Sequence, residues 1–140
     1  MKYKLSLLTI FTIICACVSV AYASYSYEDS YSFNIDIKAN RSWNYTANRY
    51  RESSRPENRW KVNLQNSTEG SGTVLNFKLS ASNHSTNLSN TYSVAQGTGN
   101  HYYAAYSNAG GRDVCLAGQN NNNVSKTSKA SGVWDEEVGY

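Results

Sequence analysis

Apolar and polar side chains alternate strictly between Tyr31 and Lys38. Tyr31, Phe33, Ile35 and Ile37 fall on one parity, and Ser32, Asn34, Asp36 and Lys38 on the other. A period of two predicts a half-buried β-strand over 31–38. The same period returns at 60–65, where Trp60, Val62 and Leu64 alternate with Lys61, Asn63 and Gln65. It returns again at 73–79, where Thr73, Leu75, Phe77 and Leu79 alternate with Val74, Asn76 and Lys78. Glu69-Gly70-Ser71-Gly72 lies between these two runs. Two alternating segments joined by a glycine-containing turn predict a β-hairpin.

Shorter alternations predict strands at 91–96 around Tyr92 and Val94, at 101–106 with Tyr102, Ala104 and Tyr106 on one face, and at 112–117. Weaker ones occur at Trp43-Asn44-Tyr45 and near 126–134. Polar loops are expected at Arg49–Asn58, which contains the only proline, Pro56, and at Ser80–Ser89 and Asn120–Asn123. Nowhere do apolar residues recur at i, i+3, i+4. About seven short strands with regular turn signals predict an all-β fold, an antiparallel β-sandwich or small barrel. Period-two spacing assigns Phe33, Ile35, Ile37, Trp60, Val62, Leu64, Leu75, Phe77 and Leu79 to its core.

The N-terminus follows a different pattern. Lys2 and Lys4 precede an apolar run from Leu5 to Val20, and Ala21-Tyr22-Ala23 supplies small residues at the positions a signal peptidase reads. Residues 1–23 are therefore expected to be a secretory signal cleaved before Ser24, leaving a single secreted β domain over 24–140 with 24–30 as a flexible lead-in. An uncleaved anchor is the first alternative, because the apolar run is nearly long enough to span a bilayer. Lipid attachment at Cys17 is the second, but the residues after Cys17 stay apolar.

Cleavage changes the charge balance. The whole chain of 140 residues has 13 Lys+Arg against 10 Asp+Glu, and removing Lys2 and Lys4 leaves 11 against 10. A nearly neutral domain predicts no affinity for nucleic acid, nor for a membrane once the signal is gone. Charged residues make up only 16%, which excludes a highly charged disordered tail. Of three cysteines, Cys15 and Cys17 leave with the signal. Cys115, in Asp113-Val114-Cys115-Leu116-Ala117, is expected to be a buried, inert thiol.

Candidate chemistry is sparse. The two histidines, His84 and His101, lie in contexts that match no nucleophile motif, and a Cys115–His101 pair has no support from its neighbours. Metal-ligand spacings and phosphate-cradling glycine loops are missing from the sequence, so no metal and no cofactor are expected. Asp135-Glu136-Glu137 is the only acidic cluster; adjacent acids on an extended strand diverge, which favours a solvated chain-terminal charge run over an ion site. The six N-x-S/T sequons, at Asn40, Asn44, Asn66, Asn83, Asn87 and Asn123, largely restate the Asn, Ser and Thr content.

The most informative local feature is basic and aromatic. Arg41, Arg49, Arg51, Arg55, Arg59 and Lys61 crowd together with Trp43, Tyr45, Tyr50 and Trp60 interleaved. Guanidinium forks recognise phosphate and carboxylate, and aromatic faces stack on sugars. Arg49, Tyr50, Arg51, Arg55 and Arg59 are therefore the candidate ligand-binding residues, as a patch for an anionic cell-wall polymer. The competing expectation is that Trp43 and Trp60 are core and the arginines a solvated loop.

FNIDIKAN at 33–40, NRWKVNLQNSTEGSGT at 58–73, VAQGTGNHYYAAY at 94–106, VCLAGQNNNN at 114–123 and SGVWDEE at 131–137 resemble a small exported, single-domain family of Gram-positive bacteria catalogued as a domain of unknown function. The resemblance covers about 34–137 and implies secretion and one domain. It implies no catalytic residue. The expected function is a secreted, non-catalytic β-domain protein at the cell surface, extracellular or wall-associated, binding a wall polymer, a carbohydrate or a protein partner. A secreted antimicrobial or toxin-like protein is the alternative, and a secreted enzyme fits less well. Intact-mass measurement of protein from the culture medium is expected to give a chain starting at Ser24; retention of residues 1–23, or lipid on Cys17, refutes the assignment.

Overall fold

Each alternating run forms a strand because one row of its side chains leaves water while the other stays in it. The computed structural model describes residues 29–139. The signal segment, with Lys2, Lys4, Cys15, Cys17 and the Ala23 cleavage point, and the lead-in up to residue 28 lie outside the described residues. Among the described residues the strands are β1 (Tyr31–Ile37), β2 (Asn44–Tyr45), β3 (Arg49–Arg51), β4 (Trp60–Ser67), β5 (Val74–Ala81), β6 (Tyr92–Ala95), β7 (His101–Tyr103), β8 (Arg112–Asn120) and β9 (Ser128–Asp135). A single 3-10 turn, Ser107–Ala109, interrupts them.

The strands form two antiparallel sheets, one ordered β1-β9-β4-β7 and the other β2-β8-β5-β6, with β3 also paired to β8. The fold is all-β, as the alternation predicts. All nine residues assigned to the core are buried in one contiguous cluster, which Leu88, Val94, Val114, Leu116 and Trp134 complete. Phe33 and Phe77 meet edge to face across the two sheets, ring centroids 5.9 Å apart. At one open side Tyr92 of β6 stacks on Tyr103 of β7 at 3.9 Å. At the other, Asn44 of β2 donates to the Asp36 carbonyl of β1 at 2.8 Å.

The structure corrects several expectations. β4 and β5 are not a hairpin: β4 pairs with β7 and β9, β5 with β6 and β8. The rows Trp60-Val62-Leu64 and Leu75-Phe77-Leu79 face one core from opposite sheets, so 68–73 is an arch between layers. Alternation specifies which face is buried but not which neighbour is bonded. Six residues readily cross the ~10 Å between packed sheets. Gly70 and Gly72, at φ 104° and 83°, supply left-handed bends that other residues rarely adopt. Thr68 donates its N–H to the Lys129 carbonyl and accepts from the Lys129 N–H, both at 2.9 Å, which fixes the arch to β9.

The expected loop at Arg49–Asn58 begins instead as β3, because β8 runs on to offer its edge at Arg112–Val114. The expected strand at 101–106 ends at Tyr103; Ala105 makes only an isolated bridge to Ser89 before the 3-10 turn. Asn120 belongs to β8 and is buried, because the Glu69 carboxylate accepts from its side chain and from Ser128. A register shift in β4 between Leu64 and Asn66 faces Gly132 of β9. A Cβ at Gly132 would lie 2.0 Å from the Asn63 carbonyl oxygen and 3.0 Å from the Phe33 ring, so only glycine fits.

Phe77→Ala is expected to cost about 3–5 kcal/mol, since it removes a fully buried ring in contact across the sheets. Denaturant unfolding followed by tryptophan fluorescence measures it; a loss below about 1 kcal/mol contradicts this packing.

Candidate binding site at the β3 loop and the C-terminal segment

Strand β3 sends successive side chains to opposite faces. Tyr50 is 57% exposed, while Arg51 beside it has no exposed surface. A buried guanidinium needs acceptors, because leaving its N–H groups dry and unpaired costs several kcal/mol. The acceptors here are backbone carbonyls. Nη1 donates to the Glu136 carbonyl, and Nη2 to those of Asn58 and, at 3.3 Å, Arg55. Burial pushes the guanidinium below its ordinary pKa, and the charges of Glu137, Glu136 and Asp135 pull it back up.

Asp135-Glu136-Glu137 is therefore not a solvated charge run. Asp135 is 2% and Glu136 7% exposed. Glu136 pairs with Arg49 Nε at 2.7 Å, and the Arg49 guanidinium lies over the Tyr31 ring. The Glu137 carboxylate accepts the N–H groups of Glu52 and Ser53 at 2.9 Å and the Asn58 amide at 3.0 Å. Val138 N–H reaches the Arg59 carbonyl at 2.9 Å, and Gly139 N–H the Asn58 side-chain oxygen at 3.0 Å. The basic loop supplies the donors that draw the acidic segment out of water.

The expected basic patch is corrected accordingly. Arg51 is interior and Arg49 is committed to Glu136, so of the four arginines only Arg55 and Arg59 are exposed, with Glu52, Glu57 and Tyr50 also at the surface. Trp60 is core, as expected of it, whereas Trp43 is half-buried with the Lys78 ammonium 4.0 Å from its ring centroid.

The loop and the C-terminal segment enclose a depression of about 630 Å³ whose lining includes Asp29, Tyr50, Glu52, Asp135, Glu136 and Glu137. Its character is acidic, opposite to that expected of the loop. Burial pushes the Asp135 carboxyl up to about 7. Its Oδ1 accepts the Glu137 N–H at 3.3 Å, and its Oδ2 is buried with no hydrogen-bond partner. Lys61, opposite Asp135 in the β4–β9 register, is buried and donates to the Asp29 carbonyl at 2.8 Å and the Ser30 hydroxyl at 2.9 Å.

The residues considered for catalysis are not brought together. Cys115 lies on the outer face of β8, buried, with its thiol directed at the Ser80 and Ala81 carbonyls and pushed up to about 11 by burial. His84 stacks on Tyr45 at 3.7 Å, and His101, in the other sheet, shares a 2.7 Å hydrogen bond with Thr98. Among the described residues no three His, Cys, Asp or Glu side chains are placed to hold one metal ion. The arginine-rich loop, with Lys61 at its edge, was legible in the sequence as a candidate, whereas Asp135 read as part of a solvated run and Asp29 and Asn58 did not stand out. The usable signal was arithmetic: one basic loop and one acidic run in a nearly neutral chain are each other's natural partners.

Fold and site together define a two-sheet β-sandwich with an acid-lined depression built by its C-terminal segment. The chain belongs to the family described as Protein of unknown function (DUF2712), which it matches over residues 19–138. No curated protein and no solved structure matches it.

An acid that binds its proton more tightly folded than unfolded favours the fold below its unfolded pKa, 3.8 here, and loses that contribution as pH rises through about 7. Between pH 4 and pH 8 the parent is expected to lose about 2–4 kcal/mol more stability than Asp135→Asn. Urea unfolding across pH tests this; parallel profiles refute it.

Proposed function

We propose that this protein is a secreted, non-catalytic binding domain that acts at the cell surface and receives its partner in the depression between the β3 loop and the C-terminal segment. The observation that carries the proposal is the division of labour among the charges there. Arg49 and Arg51 fix the walls from within, while Tyr50 and Glu52 remain displayed at the mouth. Fixed walls around an exposed aromatic suit recognition, which gains from groups ordered before the partner arrives. A signal-like N-terminus and a resemblance to exported Gram-positive proteins support the location. In such a cell the accessible partner is a wall component or an envelope protein. The acidic lining favours a partner that presents cationic groups over an anionic polymer.

Binding of the purified protein to isolated cell envelopes tests this. The double variant Tyr50→Ala/Glu52→Gln is expected to bind at least tenfold more weakly, while Arg55→Gln/Arg59→Gln binds like the parent. Loss confined to the arginine pair restores the anionic-polymer reading, and no envelope binding by the parent overturns the proposal.

A further inference from the structure

We infer that the depression between β3 and the C-terminal segment is a site for a primary ammonium group, with Glu52 and Asp135 as its counter-charges and the Tyr50 ring as its apolar wall. This rests on the binding face proposed above and names the chemistry it selects.

The depression has more negative charge than its surroundings neutralise. The groups around Asp135 are Asp29 in the N-terminal lead, Glu52 after β3, Glu136 and Glu137 in its own segment, Arg49 and Arg51 in β3, and Lys61 in β4. With Asp135 itself these make, among the described residues, five acids against three cations. Three of the acids are engaged: Glu136 with Arg49, Glu137 with two backbone N–H groups and Asn58, and Asp29 with the Tyr31 hydroxyl. Among the described residues, Glu52 and Asp135 Oδ2 remain. Glu52 is exposed at the mouth, whereas Asp135 is 2% exposed and its Oδ2 is a buried acceptor without a donor.

A buried carboxylate oxygen without a donor needs a special reason, since such groups are nearly always paired. A ligand that brings N–H donors supplies one. A metal ion suits the site poorly, because among the described residues no three candidate ligands converge. An ammonium group requires less. It carries three N–H donors, is satisfied by two carboxylates and a carbonyl or water, and gains from an aromatic face beside it. Tyr50, exposed and lining the same depression, offers that face.

The chemistry has two natural sources, a lysine side chain of a partner protein and a free polyamine. Binding should be coupled to a proton. Burial holds the Asp135 carboxyl up to about 7, and an adjacent ammonium favours its ionised form. Affinity is therefore expected to rise about 10–30-fold from pH 5.5 to pH 8.

Amide chemical shifts of the isotopically labelled protein, titrated with cadaverine and separately with Nα-acetyl-lysinamide, test the inference. 1,5-Pentanediol serves as the uncharged isostere, and calcium as the competing cation. Expected are saturable shifts confined to Glu52, Ser53 and 135–139 with either amine, stronger at pH 8, weakened by salt and negligible with the diol. Response to cadaverine alone assigns the site to free polyamines, and to the lysine amide alone to a protein partner; both support the ammonium site. Glu52→Gln, at an exposed position that leaves the fold intact, is expected to weaken binding at least threefold. Asp135→Asn is expected to weaken it at least tenfold and to remove the pH dependence, with thermal unfolding confirming that the variant is folded. Equal response to the diol, tighter binding of calcium, or unchanged amine binding by Glu52→Gln overturns the inference. Envelope binding by a protein that ignores both amines leaves the binding face standing and removes only its assignment to ammonium.

Discussion

The Arg51 guanidinium has no exposed surface, and removing such a group from water costs several kcal/mol unless its donors are met. Nη1 and Nη2 are met by three carbonyls, those of Arg55, Asn58 and Glu136, while Nε is buried without a partner among the described residues. Each carbonyl must hold its position for the charge to be tolerated, so one side chain fixes the loop after β3, the entry to β4 and the exit from β9. Glu137 then adds the complementary constraint by accepting the N–H groups at the start of the same loop. Neither charge run would be ordered by its own sequence. Together they form a polar core at the end of the sandwich, separate from the apolar one between the sheets.

The apolar core is more conventional and more forgiving. Its rows come from six strands, and its two open sides are closed by different means, an aromatic stack at Tyr92 and Tyr103 and a side-chain amide at Asn44. Aromatic pairs contribute about 0.5–1.5 kcal/mol beyond the area they bury, so the first closure is the firmer. The tightest point is Gly132, where the β4 bulge brings the Asn63 carbonyl and the Phe33 ring within reach of any side chain.

Alternation made the core legible because burial on one face is a local property with a fixed period. Phe33, Ile35 and Ile37 announce their parity whatever lies next to them. Pairing is not local. Leu64 and Leu75 look like two sides of a hairpin, yet they reach the core from different sheets, and nothing within 60–79 distinguishes these outcomes. The candidate site was half legible for the same reason. Arg49, Tyr50 and Arg51 stand out as a cluster, but their opposite exposures follow from β3 pairing with β8 some 60 residues away, at Arg49↔Val114 and Arg51↔Arg112. Asp135 was misread because adjacent acids imply solvent until a buried cation lies beneath them.

The arch between β4 and β5 has a consequence for how the chain folds. Among the described strands only β5 and β6 are both neighbours in sequence and partners in a sheet. Every other pairing closes a long loop, which places the domain among slow folders. Sheet β1-β9-β4-β7 has as its second strand β9, the last of the described strands in sequence. It cannot be assembled until β9 has emerged from the ribosome, and the polar core around Arg51 waits for Glu136 too. A nascent chain built this way stays open, and therefore threadable, until β9 has been made.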